Sequence, residues 1–537
     1  MFLFLSLLYF VAGSKVEDGS KPPHIVYILA DDLGWNDVSF HGSDQIPTPN
    51  IDSLAYNGVI LNRHYTQPLC TPSRASLMTG KYAVHTGLHD ALLPTHKAGL
   101  PLTEKILPQY LKELGYSTHL VGKWHLGFYK KEFTPLQRGF DSHFGYWSGA
   151  ISYYDHIDEN PIPTLNYSGH DMRRGYSSAC DMVGQYATDL FTREAVRVIE
   201  SHEPDRPMFM FMAHLASHAG NQGKWLEAPQ DEINKFSYIS DPNRRTYAAM
   251  VSKLDQSVGS VITALERKGM LKNSIIVFLS DNGAPNIGVY QNWGSNYPWR
   301  GQKATLWEAA VRTPSLIWSP LIGKPSRIYN DLMHISDWLP TLLSAAGYKG
   351  KISDIDGIDQ WRALSRGYPG PREEVIIDVD DKKKMVAAIY KTFKYVKGPS
   401  RGGPEDMFLN TNTIFSPRQP KYNLRTVIQS PTWQAVQKHM KTLIPIDGIY
   451  QLRHQATITC YHDFDQAMEC VDQPCLFDIL EDPCEQYNIA EELPVATQHI
   501  ERQVIDPFRK GAVVIPLIED PESNPENFDG DWSIWVE

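Results

Sequence analysis

His24-Ile25-Val26-Tyr27-Ile28-Leu29-Ala30 runs straight into Asp31-Asp32. The run has strand length and is almost wholly apolar, so neither of its faces is written for water. A strand in a parallel sheet covered on both sides reads this way. The pattern recurs three times. Ser117–Gly122 (STHLVG) ends at Lys123-Trp124-His125, Pro207–Ala213 (PMFMFMA) leads to His214 and His218, and Ser274–Ser280 (SIIVFLS) ends at Asp281-Asn282-Gly283. Helical patterns lie between these runs, for example Thr103–Leu114 stopped by Gly115. Alternation of this kind predicts an α/β fold with a large, mostly parallel central sheet flanked by helices. Ligands of such sheets bind beyond the carboxyl ends of the strands. All four polar clusters are therefore expected on one edge.

The 537 residues are 42% hydrophobic and 21% charged, an ordinary globular composition that excludes disordered, collagen-like and coiled-coil chains. The net charge of −11, with no basic tract, excludes the electrostatic footprint of a nucleic-acid partner. The opening MFLFLSLLYFVAG is an apolar run leaving through small residues, expected to be a signal peptide over 1–13 that sends the chain into the secretory route. No later apolar run approaches the 18 or so residues of a spanning helix, so no membrane span is expected. Asn166-Tyr167-Ser168 is the one glycosylation sequon.

Cys460, Cys470, Cys475 and Cys484 crowd together, while Cys70 and Cys180 stand apart. Pairing of Cys475 with Cys484 across the Asp482-Pro483 turn, and of Cys460 with Cys470, is expected; Cys70 needs its own explanation. The main α/β domain is placed at 21–384, ending in the Asp380–Lys384 charge cluster. The alternating Met385–Lys397 stretch is read as a strand opening a smaller antiparallel domain over 385–537.

Asp31 beside Asp32 on one strand end, and Asp281 with Asn282 on another, offer hard oxygen ligands with no imidazole or thiolate among them. Such a set suits Ca²⁺ first and Mg²⁺ second, and not zinc. Cys70-Thr71-Pro72-Ser73-Arg74, continuing to Gly80-Lys81, reads as a helix start with Pro72 at the first helical position and Gly80 as terminator. Cys70 then faces free backbone N–H groups and the positive end of the helix dipole, with Arg74 reaching back toward it. A tetrahedral oxyanion would sit well there.

The Cys70–Lys81 string resembles the type I sulfatase signature, Cys-x-Pro-Ser-Arg followed by Leu-x-x-Gly, with Lys81 where many members carry Arg. Asp31-Asp32, Gly122–Gly127, Asp281-Asn282-Gly283, Arg300-Gly301-Gln302-Lys303 before Leu306-Trp307-Glu308, and Leu476-Phe477-Asp478 with Asp482-Pro483 extend the resemblance along the mature chain. The look is nearest the arylsulfatase B group. The resemblance implies an alkaline-phosphatase-like sulfatase fold and oxidation of Cys70 to formylglycine by a dedicated formylglycine-generating enzyme in the endoplasmic reticulum. It also implies one divalent cation held by Asp31, Asp32, Asp281, Asn282 and the modified Cys70. Arg74, Lys123 and Lys303 would stabilise the sulfuryl oxygens, and His125 would help remove a proton from the hydrated aldehyde. His218 would donate to the leaving oxygen or bind the sulfate near it, with His214 as rival, since Ser217-His218-Ala219 lacks the family's usual Pro.

The expected activity is hydrolysis of an organic sulfate ester: an aryl sulfate, a glucosinolate-like compound or a sulfated sugar. An N-acetylgalactosamine-4-sulfatase acting on glycosaminoglycans and a phosphate-ester hydrolase of the same superfamily are the alternatives. Loop aromatics at the active edge, Tyr153, Trp293, Tyr297 and Trp299, are offered as substrate contacts. An extracellular or lysosomal location is expected.

Overall fold

The structure, a computed structural model, describes residues 21–159, 165–288, 290–399, 403–407, 419–460, 468 and 470–537. The expected signal segment lies outside them. The main sheet has ten strands: β1 (His24–Ala30), β2 (Val59–Leu61), β3 (Ser117–Lys123), β4 (Ser142–Tyr146), β5 (Arg173–Arg174), β6 (Ser177–Ser178), β7 (Met208–Ala213), β8 (Ser274–Ser280), β9 (Ser315–Trp318) and β10 (Arg327–Tyr329). Their spatial order is β10-β2-β9-β8-β1-β7-β3-β4-β5-β6. The four apolar runs are the adjacent strands β8, β1, β7 and β3, all parallel. In register, Ala30 stands opposite Ser280, Leu29 opposite Ala213, and Ala213 opposite Gly122. The carboxyl ends therefore finish level, and the polar residues that follow them meet.

Both faces of these strands are buried, which is why their sequences do not alternate. Val26, Ile28, Met210, Met212, Ile276 and Phe278 point into one core, beneath the helices α4 (Ala187–Ser201) and α5 (Pro242–Arg267); α1 (Pro49–Asn57) packs there too. Ile25, Tyr27, Leu29, Phe209, Phe211 and Val277 point into a second core with α2 (Cys70–Thr79), α3 (Leu107–Glu113) and α6 (Trp338–Ala345). Each such side chain taken fully out of water contributes about 1.5–3 kcal/mol.

A four-stranded antiparallel sheet follows, formed in order by β11 (Glu374–Asp380), β12 (Met385–Tyr390), β13 (Phe393–Lys397) and β14 (Cys475–Asp478). The small sheet runs across the expected boundary at 384/385. The Asp380–Lys384 charge cluster is the buried end of β11 and the solvated turn 381–384 that leads into β12, and the stretch read as one strand is the β12–β13 hairpin. Nor does 385–537 form a body of its own. The helices Leu424–Ile428, Pro431–Val436 and Ile446–Ala456 bury Val427, Trp433 and Ile449 in the first core, and Trp532 sits in the second. The small sheet itself rests on Leu306, Trp307, Ala310 and Val311 through Val375, Ile377, Ile389 and Phe477. That contact fixes the segment just after Lys303.

The disulfides are Cys460–Cys484 and Cys470–Cys475, correcting the expected pairing. Core packing explains the change. Cys470 and Cys475 share the cluster beneath the small sheet, whereas Cys484 and Cys460 pack with Trp35 and Trp299.

Candidate active site at the strand ends

Cys70 is the first residue of α2, so the helix starts two residues ahead of the Pro-based expectation. It ends at Thr79, where Gly80 takes a left-handed φ of 73° and its N–H bonds the Ser76 carbonyl. Cys70 is 3% exposed. Burial pushes its thiol pKa up, with the Lys123 and Lys303 charges opposing. Unmodified, it is a poor nucleophile.

Around it, three carboxylates are matched by three cations. Arg74 donates from Nε and Nη2 to Asp281 Oδ2 at 3.0 and 2.7 Å. Lys123 Nζ lies 2.8 Å from Asp31 Oδ2, and Lys303 Nζ lies 2.7 Å from Asp32 Oδ1. Asp31, Asp32 and Asp281 thus do not face one another unneutralised. Lys123 reaches this place because Gly122 turns the end of β3 with φ 102°. A Cβ there would meet the Ala213 carbonyl oxygen at 1.9 Å. Left-handed φ values at Asp32 (59°), His125 (60°) and Ala304 (69°) mark further strained positions round the same edge.

The buried polar atoms left without a hydrogen bond are informative. Asp31 Oδ1 and Asn282 Oδ1 are acceptors lacking a donor, and Arg74 Nη1 is a donor lacking an acceptor. An unmet buried group costs about 1–3 kcal/mol. Asn282 meanwhile turns its amide nitrogen, at 2.6 Å, toward Asp32 Oδ1. Unfilled oxygens beside two aspartates fit a hard divalent cation, and a spare guanidinium nitrogen fits an oxyanion. The residues present are therefore suited to both groups.

The histidines have defined orientations. His125 Nε2 lies 2.9 Å from the Leu92 carbonyl, so it carries the hydrogen and Nδ1 is left as a bare acceptor, buried and unpartnered. Burial, then the Lys123 and Arg74 charges, hold its pKa well below 6.5. His218 Nδ1 donates to the Ala219 carbonyl at 2.6 Å, leaving Nε2 3.4 Å from Lys303 Nζ. His214 is directed elsewhere, its Nε2 3.1 Å from Ser257 Oγ on α5. Of the two rivals, only His218 stands in the cleft.

The cleft has a volume of about 470 Å³ and is lined by Cys70, His125, His218 and Lys303 at its floor. None of the four aromatics offered as substrate contacts lines it. Tyr153 is buried, its hydroxyl donating to the His218 carbonyl at 2.9 Å, so it braces His218 from behind. Trp293 packs on the first core, Tyr297 is half-buried outside the cleft, and Trp299 is stacked edge-on against Trp35. An aromatic in a loop near the edge is as readily drawn into packing as left facing solvent. Of the aromatics in the loop 286–299, Tyr290 reaches the cleft, its ring 5.1 Å from that of His218. Asp90, Leu92, Leu93, Asp158, Glu405 and Leu517 also line it, although no local motif marks them.

A buried set of paired carboxylates and cations, opening into one cleft at the ends of a parallel sheet, is what fold and site define. The chain belongs to the sulfatase family: the Sulfatase family model matches residues 23–348. Arylsulfatase J of Mus musculus is 36% identical over 524 residues, covering 96% of this chain and 81% of that protein. N-acetylgalactosamine-6-sulfatase of Mus musculus is 33% identical over 383 residues, covering 68% of this chain and 70% of that protein. The solved structure of Ps i-CgsB in complex with k-i-k-neocarrahexaose superposes with a TM-score of 0.70 at 23% identity, covering 93% and 96% of the two chains. That last likeness speaks for the fold. The protein is a sulfuric ester hydrolase.

Proposed function

We propose that the protein hydrolyses small, singly charged sulfate esters with an uncharged aryl or sugar leaving group, using Cys70 in its formylglycine form. The observation carrying this reading is the polarity of the cleft. Its floor collects Lys303, with Lys123 and Arg74 behind. Its walls are apolar (Leu92, Leu93, Pro94, Ile287, Tyr290, Leu517) or carry carboxyl groups (Asp90 and Glu405, with Asp158 held neutral by burial, its pKa raised to about 8), and Lys303 is the only Lys or Arg among the described lining residues. A substrate with one sulfate finds its cations at the floor. A second anionic group would meet carboxylates.

The hydrated aldehyde would supply one hydroxyl to take the sulfuryl group and a second whose deprotonation expels sulfate from the first and restores the aldehyde, and a divalent cation, Ca²⁺ or Mg²⁺, would supply charge neutralisation. Asp31, Asp32, Asp281 and Asn282 would hold that cation. Arg74, Lys123 and Lys303 would bind the sulfuryl oxygens as negative charge grows on them, a role typically contributing several kcal/mol. His125 Nδ1 is the free acceptor for the proton lost when sulfate is expelled. His218 Nε2, with the Lys303 ammonium 3.4 Å away, serves the leaving oxygen, and Tyr153 keeps the imidazole in place.

Maturation would need a formylglycine-generating enzyme in the endoplasmic reticulum. Two disulfides, and an exposed Asn166 in its sequon, support a secretory, extracellular or lysosomal setting. No helix among the described residues is long and apolar enough to cross a membrane.

The test is to compare kcat/KM for 4-nitrocatechol sulfate, a glucosinolate and a 4-sulfated chondroitin oligosaccharide. Preference for the first two by more than about tenfold, or roughly 1.4 kcal/mol, is expected. Preference for the oligosaccharide overturns the reading.

A further inference from the structure

At the β5–β6 edge of the main sheet, three side chains that the sulfatase site does not use converge. His170 ends the second strand of the Ile157–Glu159/Ser168–His170 hairpin, Cys180 follows β6, and Asp531 comes from the C-terminal tail. His170 Nδ1 is 3.0 Å from Asp531 Oδ1 and 3.6 Å from Cys180 Sγ. Ser178 Oγ lies 3.1 Å from that sulfur, 3.0 Å from the same carboxylate oxygen and 3.4 Å from the same ring nitrogen.

Two ordinary explanations fail. A Cys-His-Asp nucleophile needs the carboxylate on the ring nitrogen opposite the thiol, so that it orients the base. Here thiol and carboxylate meet the same Nδ1, while Nε2 is buried without a partner. A disulfide within the chain is also closed to Cys180: four cysteines are paired with one another and the remaining one, Cys70, is buried in the cleft.

We propose that His170, Cys180 and Asp531 form a second metal site, for Zn²⁺, separate from the cation site at the strand ends. Zinc bonds of about 2.0–2.2 Å to nitrogen or oxygen and 2.3 Å to sulfur set tetrahedral ligand-to-ligand edges of about 3.3–3.7 Å. The observed separations of 3.0 and 3.6 Å lie close to that range. Thiolate, imidazole and one carboxylate select zinc over the hard cations suited to the cleft. Ser178 Oγ or a water completes four-coordination, and Cys180 is exposed, so an ion enters from solvent. The site would act as a clip. His170 N–H donates to the Gly530 carbonyl at 2.9 Å, and Trp532 N–H to the His170 carbonyl at 3.0 Å. The Trp532 indole donates to the carbonyl of Asp158, whose side chain lines the cleft. Zinc here fastens the tail to the hairpin that forms one cleft wall.

The test measures alkylation of Cys180 by N-ethylmaleimide in the purified full chain, read by mass spectrometry of its peptide. Zinc chloride at ten times its dissociation constant should slow the reaction about tenfold, by mass action. Calcium and magnesium should not. Protection should disappear in His170→Ala and in Asp531→Asn, the second guarding against a folding defect in the first. Co²⁺ should give a thiolate charge-transfer absorption that Cys180→Ser lacks. Equal alkylation rates with and without zinc, protection retained in both variants, or Cys180 found wholly oxidised in the purified protein would overturn the site.

Discussion

Replacing Lys394 with Met should destabilise the whole molecule, and by more at pH 8.0 than at pH 5.5. Lys394 on β13 is fully buried, its Nζ 3.0 Å from Glu308 Oε1 and 2.7 Å from Glu485 Oε1, and both carboxylates are buried with it. Glu308 is further held by Tyr65 and Arg312, at 3.0 and 3.3 Å from Oε2. Met keeps the length of the stem and removes only the charge, so two buried acids are left with Arg312 alone. Breaking a buried ion pair from one side costs about 3–5 kcal/mol. Burial already raises the Glu485 pKa from 4.5 to about 7, against the opposing pull of Lys394. A raised folded-state pKa means that stability is intact below the unfolded value and drains away as pH rises through the folded one. Without Lys394 that pKa climbs further, so the variant loses additional stability above pH 7 while Glu485 is protonated in both proteins at pH 5.5. Chemical denaturation followed by tryptophan fluorescence should show a larger loss at pH 8.0 by about 1–2 kcal/mol, since each pKa unit is worth about 1.4 kcal/mol. Adding Glu485→Gln should recover much of the loss at pH 8.0. An equal loss at the two pH values, or a variant as stable as the parent, refutes the reasoning.

Cys70→Ala should abolish sulfatase turnover while leaving secretion and Tm nearly unchanged, and Cys70→Ser should be equally inactive; near-parental activity in purified Cys70→Ala would sink the nucleophile assignment. Chelation followed by elemental analysis should give a metal-free protein without activity and with a modestly lowered Tm, modest because Arg74, Lys123 and Lys303 already neutralise the three aspartates. Full activity in protein shown to be metal-free overturns this. Thermal stability should peak between about pH 6 and 7. Burial holds His41, His64, His143 and His214 at about 3, and His24, His119 and His156 at about 4, so these protonate only on unfolding and stability falls as pH drops below 6.5. On the alkaline side Asp255, raised by burial to about 7, and Asp158, raised to about 8, withdraw stability as pH rises through those values. A Tm still climbing at pH 5 would contradict this balance.

The strand cores were legible because burial on both faces writes itself into consecutive residues. HIVYILA and SIIVFLS have no solvent side to encode, and level carboxyl ends followed from the parallel register. Local chemistry misled where a contact is made far along the chain. The Asp482-Pro483 turn suggested a neighbouring pair of cysteines, but Cys484 belongs to the Trp35–Trp299 cluster and Cys475 to the small sheet. Nothing within ten residues of either reports which cluster claims it. The Asn286–Trp299 aromatics show the same limit, since Tyr290 and Trp299 differ in destination and not in type. Leu517 and Asp531 lie in the C-terminal tail and carry no signal of the cleft or the cluster they reach.

Pairing of charges was the least legible part of the site, and it bears most on how the site works. Asp31, Asp32 and Asp281 read as ligands, and Arg74, Lys123 and Lys303 read as sulfate-binding cations; the structure shows that the two sets also satisfy each other, at 2.7 to 2.8 Å. The same three cations cannot hold both a carboxylate oxygen and a sulfuryl oxygen with every donor. On the proposed function, a cation bound between the aspartates would relieve them of that partnership and free the ammonium and guanidinium groups for the substrate. Loading of the cation and binding of the sulfate would on this account be coupled through Lys123, Lys303 and Arg74, each favouring the other by the same free energy.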